Sequence, residues 1–261
     1  MKDELLRLEN ICYEVPVVFD NKKSVKKILT DISFSVFKNS IVGITGESGG
    51  GKTTLAKIIA GLIKQTNGTI RYHSNLETPV SSSPIQILFQ NNGDVLNPFR
   101  TVNSVLDEAL KIKIKNKNER LAYKNEILAA IDFSENLLIR KGYQLSGGEQ
   151  QRAALMRLLA VKPELLILDE PFSAQDFESQ ISFLKLFKDI NEKFGTTIIC
   201  VSHDILLLKA LVDEMIVIYN GTIVEKNSTH EITTNPSHPY TKYLFSANTL
   251  KLAEADLRKT F

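Results

Sequence analysis

Residues 46–53 read Gly-Glu-Ser-Gly-Gly-Gly-Lys-Thr, a complete G-x-x-x-x-G-K-[ST] run. The flanks suit it. Ile41-Val42-Gly43-Ile44-Thr45 before the run has the apolar character of a buried strand, and Thr54-Leu55-Ala56-Lys57-Ile58-Ile59-Ala60 after it has the periodicity of a helix, predicted over 52–62. Strand, glycine loop and helix are the context in which successive backbone N–H groups and a helix N-terminus converge on an anion. In that setting Gly46, Glu47, Ser48, Gly49, Gly50, Gly51, Lys52, Thr53 and Thr54 line a phosphate cradle. Lys52 reaches the β- and γ-phosphates, and the Thr53 hydroxyl meets Mg²⁺. A plain glycine-rich turn between strand and helix explains the glycines but not Lys-Thr at that offset. The run therefore implies a nucleoside triphosphate site.

Outward from the loop, the pattern alternates. Leu5–Val15 and Ile28–Val36 show partial two-residue periodicity and read as antiparallel strands, with a polar linker around Asp20–Lys27. Thr69–Tyr72 and Ile85–Gln90 read as strands and Ser74–Pro84 as a polar loop. From about Thr101 to Leu138 the pattern turns helical, followed by a helix over Gly148–Val161. Glu164–Asp169 is a continuous apolar run, as a central parallel strand requires. A helix over 176–194 ends at Gly195, Thr196–Ser202 is a strand, and the Asn220-Gly221 pair turns a hairpin between Met215–Tyr219 and Thr222–Glu225. Two short helices close the chain. The alternation predicts an α/β fold with a mainly parallel sheet and an N-terminal antiparallel β part. The expected division is one domain over 1–261: a core of about 1–90 and 146–228, a helical insert of about 91–145, and a short helical extension of about 229–261.

Two further stretches carry chemistry. Asp169-Glu170 ends the apolar run, where one carboxylate can hold Mg²⁺ and the next can polarise a water as general base. A charged pair that merely terminates a strand is the bland alternative. Leu145-Ser146-Gly147-Gly148-Glu149-Gln150-Gln151-Arg152 places a hydroxyl and two glycines at a helix start, an anion-binding arrangement. The same residues also satisfy an ordinary capping box between Ser146 and Glu149.

Composition sets bounds. Of 261 residues 32 are basic and 30 acidic, so a net charge of +2 offers no global reason to expect nucleic-acid partners. The basic run Lys111–Arg120 reads as a solvated, partly helical face. Cys12 and Cys200 sit in apolar contexts and read as buried free thiols, with no cluster for zinc or iron–sulfur. The opening MKDELLRLEN lacks the pattern of a signal peptide, and no apolar run of about 20 residues is present, so a cytoplasmic chain is expected.

Taken together, loop 46–53, Gln90 after a strand, LSGGEQQR at 145–152, LLILDE at 165–170 and Ser202-His203-Asp204 resemble the ATP-binding cassette family in order and spacing, over nearly the whole chain. The resemblance implies an ATP- and Mg²⁺-dependent ATPase working as a head-to-tail pair, with Ser146, Gly148 and Glu149 contacting ATP held by the other subunit. It implies Glu170 as catalytic base, His203 as γ-phosphate sensor, and Gln90 as ligand of Mg²⁺ and water that also senses the membrane partner, with Thr53 and Asp169 completing the metal set. Two positions depart from the family. Gln175 stands where leucine is usual, in the subunit-coupling loop Ser173–Asp176. The place of the adenine-stacking aromatic falls at Val15, leaving Tyr13 as the preferred substitute and Phe19 as another; unchanged ATP affinity in Tyr13→Ala would remove Tyr13.

Leu96-Asn97-Pro98 and Asn235-Pro-Ser-His-Pro-Tyr-Thr-Lys242 are similar to segments of the branch that imports peptides, nickel and metal chelates. The chain stops at Phe261 with no cysteine after Cys200, which resembles that branch's shorter members. The implied partners are integral-membrane permeases, a second ATPase subunit (a hetero-pair before a homodimer) and, indirectly, an extracytoplasmic substrate-binding protein, with the chain peripheral on the cytoplasmic side of the cell membrane. Two alternatives remain: a soluble cassette ATPase acting on ribosomes or nucleic acid, and a lipoprotein-release or export ATPase. Cargo is not legible.

Overall fold

A computed structural model describes residues 3–19, 22–73, 84–90, 96–173 and 175–246. The chain forms two compact units, Met1–His73 with Cys200–Phe261, and Ser74–Ile199.

In the first unit, β1 (Glu4–Phe19) and β2 (Lys22–Phe37) form a long antiparallel hairpin, and β4 (Asn67–Tyr72) joins the other side of β1 in the order β2-β1-β4. The expected polar linker at 20–27 is therefore mostly strand. Lys22 already pairs with Phe19 and Lys26 with Val15, because a ladder can extend on backbone hydrogen bonds without apolar side chains. Three register shifts after Leu8, one of them at Asn10 in the left-handed region (φ 52), break the alternation that sequence periodicity relies on. The other strands of this unit are β3 (Ile41–Gly46), β8 (Glu214–Tyr219) and β9 (Thr222–Ser228). β3 runs parallel to β8, and β8 antiparallel to β9. β3 is buried throughout, the signature of a strand covered on both faces.

Helix α1 (Lys52–Ile59) is shorter than expected, because Gly61 takes φ 73 and the chain turns out of the helix. Helix α6 (Ile205–Leu211), capped by Asp204, was not foreseen; its seven residues include five aliphatic ones and offer no readable polar face. It packs on β3. Helix α7 (Thr229–Thr234) follows β9, and residues 239–246 are helical; the remainder of the expected extension, 247–261, lies outside the described residues.

The second unit holds β5 (Ile85–Leu88) parallel to β6 (Leu165–Asp169), with β5 ending two residues before the expected Gln90. The helical run resolves into α2 (Val102–Lys113) and α3 (Lys117–Ile131), capped by Thr101 and Asn116, which accept N–H bonds from their own first turns. Both pack on α4 (Gly147–Leu159), and α3 also meets α5 (Phe177–Phe194), which ends at Gly195 in the left-handed region. The basic run closes α2 with Lys111 and Lys113, favourable to its dipole, and opens α3; only Ile114 is deeply buried within it. β7 (Thr197–Val201) carries the chain back to the first unit. Cys200 is buried as expected, whereas Cys12 is only half-buried; neither forms a disulfide. Of the expected loop Ser74–Pro84, residues 74–83 lie outside the described residues, as do 91–95 and Ala174.

Candidate nucleotide site

The first unit carries the phosphate loop. Gly46 ends β3 with φ 141, and a Cβ there would come within 1.9 Å of the Ile218 carbonyl oxygen on β8. The parallel pairing of Gly46 with Ile218 therefore demands glycine. Gly51, at φ 93, precedes α1, and a Cβ there would lie 2.7 Å from Leu29 Cδ2 and 2.9 Å from the Ile28 carbonyl oxygen. The loop folds on itself: the Gly50 amide donates to the Glu47 carbonyl (3.1 Å). Lys52, 7% exposed as a residue, donates from its ammonium to the carbonyls of Gly46 (3.0 Å) and Glu47 (2.6 Å). A buried ammonium held by loop carbonyls is a cation stationed inside a ring of backbone dipoles, where a polyphosphate gains most from it. No side chain caps α1. Its first turn points into the loop, with Thr53 exposed, Thr54 half-buried and Ser48 and Gly49 open to solvent.

His203 belongs to the same unit. The Ser202 amide donates to the Ile44 carbonyl (3.1 Å), so the end of β7 lies beside β3. Asp204 caps α6 through bonds from Leu206 and Leu207. These two ties hold the intervening His203 at the sheet end from which the phosphate loop departs, and its ring is exposed. Tyr13 lies half-buried on β1 opposite Leu29. Phe19 ends the same strand.

The second unit carries the carboxylates and the serine-glycine helix start. Leu88 pairs with Leu168, so Gln90, exposed, and Asp169-Glu170 follow the carboxyl ends of neighbouring parallel strands, where α/β sheets bind ligands. Asp169 is 4% exposed. Glu170 adopts φ 51, a costly backbone for a non-glycine residue, and its carbonyl accepts from the Ser173 amide and hydroxyl.

Ser146 caps α4. Its hydroxyl accepts from the Glu149 amide (3.4 Å), and the Glu149 carboxylate accepts from the Ser146 amide (2.7 Å), which holds that carboxyl below its ordinary value. The capping box is thus real, and it accounts for Ser146 and Glu149 without a ligand. It does not account for the glycines. A Cβ on Gly147 or Gly148 would meet nothing within 4 Å, and neither has positive φ. Nothing among the described residues requires glycine there, which leaves an open face at the helix start.

The structure also explains residues that sequence reading left idle. The Gln151 amide donates to the Pro171 carbonyl (2.8 Å), tying α4 to the turn after Glu170. Gln175, the departure from leucine, donates to the Gln151 side chain, so it extends this polar tie. Arg152 binds the Ile131 carbonyl and the Ser182 hydroxyl and lies over the Phe183 ring, joining α4 to α3 and α5. Glutamine repeats beside the SGG run were the available signal, but their partners are remote in sequence.

A model described as ABC transporter matches residues 29–173, from β2 through the turn after Glu170. Similar curated proteins include a putative peptide import ATP-binding protein of Brucella ovis, 32% identical over 237 residues covering 88% of this chain and 75% of the relative. The oligopeptide transport ATP-binding protein OppF of Bacillus subtilis is 32% identical over 257 residues, covering 95% and 83%. Among solved structures, the ATP-binding cassette MJ0796, described as a dimer in a post-hydrolysis state bound to ADP and Pi, superposes with TM-score 0.71 at 26% identity, covering 86% of this chain and all but 1% of the other, a 99% coverage. The chain belongs to the ABC transporter family and is a nucleotide-binding ATPase of that family. The expected α/β cassette fold is borne out.

Proposed function

We propose that this chain is the ATP-hydrolysing subunit of a peptide importer, peripheral on the cytoplasmic face of the cell membrane. The observation that carries the reading is a complete phosphate loop in the same chain as an open, glycine-led helix start that its own fold does not require. That is the donor and the acceptor half of a two-subunit sandwich. The names of the similar proteins, peptide import and oligopeptide transport, support peptide cargo over nickel or metal chelates.

In this reading the core spans about 1–90 and 146–228, the helical insert about 91–145, and the extension 229–261. Lys52 and the loop amides of 46–54 bind the triphosphate, and Tyr13 stacks on adenine. Ser146, Gly148 and Glu149 complete the site of the second subunit, a different chain by preference. Glu170 takes the proton of the attacking water, and His203 contacts the γ-phosphate. Mg²⁺ would be held by the oxygens of Thr53, Gln90 and Asp169 and would neutralise phosphate charge. The donor set fits: it is all oxygen with one carboxylate, as Mg²⁺ prefers when phosphates supply the remaining ligands. Correspondingly, no cluster of three His, Cys, Asp or Glu forms a metal cage among the described residues. ATP binds the closed pair better than the open one, and that difference in affinity is what does work on the permease.

An exposed apolar face on the helical insert supports a membrane partner. The Val102 amide donates to Arg140 (3.0 Å) and the Tyr143 amide to Pro98 (3.4 Å), which brings two segments together. They present Phe99 at 76%, Ile139 at 79% and Tyr143 at 60% exposure. Large apolar side chains exposed on adjoining segments suit a partner-binding surface. No helix among the described residues is long and apolar enough to cross a membrane, so permeases supply the path. The substrate-binding protein acts through them.

The test is uptake in a strain lacking this subunit, with labelled short peptides and nickel measured side by side. Selective loss of peptide uptake is expected. Selective loss of nickel uptake would reassign the cargo, and unchanged uptake of both would refute the importer reading.

A further inference from the structure

We propose that Tyr240 is a positioning residue for the phosphate loop, acting through a relay of Tyr219, Asn220 and Glu47. The inference rests on reading loop 46–53 as the nucleotide site.

The relay begins at Glu47. Its main-chain carbonyl receives both the Gly50 amide and the Lys52 ammonium, so the position of Glu47 sets the shape of the loop. Its side chain runs beneath the turn, with Cγ 3.0 Å from where a Cβ of Gly50 would lie. The carboxylate then accepts the Asn220 amide at 3.0 Å. Asn220 and Gly221, both at positive φ, form the two-residue turn between β8 and β9. On its far side the turn is tied to β2, where Thr30 donates to the Gly221 carbonyl (2.8 Å).

Tyr219, next to Asn220, stacks on Tyr240 with centroids 4.1 Å apart and planes 21° from parallel. Tyr240 is not held by the stack alone. Glu225 on β9 accepts the amides of Ser237 (2.8 Å) and His238 (3.0 Å), one bond on each oxygen. The His238 ring in turn accepts the Tyr240 amide (3.2 Å). The Asn-Pro-Ser-His-Pro-Tyr segment is thereby clamped to β9, and its tyrosine is delivered to the β8–β9 turn. Glu47, Tyr219, His238, Pro239, Tyr240 and Tyr243 border one open cavity of about 590 Å³, so the segment faces the phosphate loop across it. Burial, and next the Glu47 charge, raise the Tyr240 phenol above its ordinary value, consistent with that proximity.

Every link lies within one compact unit. The consequence is specific: loosening Tyr240 frees the turn, Glu47 loses a fixed donor, and the empty loop samples shapes that nucleotide must reorganise on binding. Such a loss appears in affinity and leaves turnover at saturation intact.

The test is nucleotide affinity of the purified full chain, measured with a fluorescent ATP analogue, and KM against kcat in the assembled ATPase. Tyr240→Ala should weaken binding about threefold to tenfold, the range of one aromatic pair, with kcat within about twofold. Tyr240→Phe should restore binding, because the stack and not the hydroxyl acts. Glu225→Ala, which keeps both tyrosines but releases the segment that carries Tyr240, should weaken binding in the same direction and decides the matter if Tyr240→Ala does not fold. Combining Tyr240→Ala with Glu47→Ala should cost less than the sum of the two. Wild-type affinity in folded Tyr240→Ala, a loss confined to kcat, or additive double-mutant costs would overturn the proposal. A wild-type chain that binds no nucleotide would overturn the proposed function as well, which separates the two failures.

Discussion

Replacing Gly148 by alanine should stabilise this protein and cripple it. Gly148 is the second residue of α4, has no positive φ, and offers a Cβ open space with no heavy atom within 4 Å. Alanine there removes unfolded-state entropy and gains helix propensity. At a first-turn position the gain is about 0.5 kcal/mol, toward the low end for such exchanges. For a chain of this size that corresponds to a Tm rise of about 1–2 °C. The same methyl group fills the open face where the second subunit's nucleotide is proposed to sit. An added methyl in a close-packed interface costs about 1–3 kcal/mol, so ATP hydrolysis by the assembled pair should fall about 5- to 150-fold. Thermal unfolding of the isolated chain and steady-state ATPase of the assembly measure the two effects independently. Ser146→Ala would not discriminate, because losing its cap alone costs about 1 kcal/mol of stability. A fall in Tm for Gly148→Ala would show that the chain's own fold needs the glycine. An unchanged ATPase rate would show that nothing docks on the helix start. Either result refutes the reasoning.

At Gly46 the opposite is expected: alanine would place its Cβ 1.9 Å from the Ile218 carbonyl at an unfavourable φ, and should cost about 3 kcal/mol or more, read as a lower urea midpoint. Glu170→Gln should lower hydrolysis about 10²- to 10⁴-fold while nucleotide affinity stays within about twofold; near-wild-type turnover would remove Glu170 as base. Acid should release the segment around Tyr240. Burial acts to raise the Glu225 carboxyl, but the donated amides of Ser237 and His238 outweigh it and hold it below its ordinary value of 4.5. A depressed carboxyl stabilises the fold above its unfolded pKa and loses that contribution as pH falls through the folded one. Hydrogen exchange at residues 236–243 should therefore stay slow from neutral pH down to about 4.5 and accelerate, after correction for intrinsic rates, below it. Glu225→Gln should abolish that acid-dependent step, and a step that persists in it would remove Glu225 as its origin.

The phosphate loop, Asp169-Glu170 and the Ser146 cap were legible because each is a local device. Its geometry is set by the φ preferences, hydroxyls and N–H groups of a few consecutive residues. Helix α5 was legible for the same reason, with Asp176 capping its start and Gly195 ending it. Where local signals were weak or ambiguous, the reading slipped. Lys22–Lys27 have the composition of a linker and became strand only because β1 lies opposite to pair with them. The aliphatic run of α6 has no polar face to betray its period, and its packing on β3 decides that it is helix.

The sequence by itself determined that the chain holds a strand–glycine loop–helix unit, a capped serine-glycine helix start and a carboxylate pair closing a buried strand. Tertiary structure alone decided that Gly46 is demanded by Ile218 while Gly148 is demanded by nothing among the described residues. It also decided that Gln175 meets Gln151, and that the segment around residue 240 borders the same cavity as Glu47. The physical reason is distance along the chain: caps and turns are written in neighbouring residues, whereas steric demand, side-chain partnership and ring stacking depend on atoms tens to hundreds of residues away.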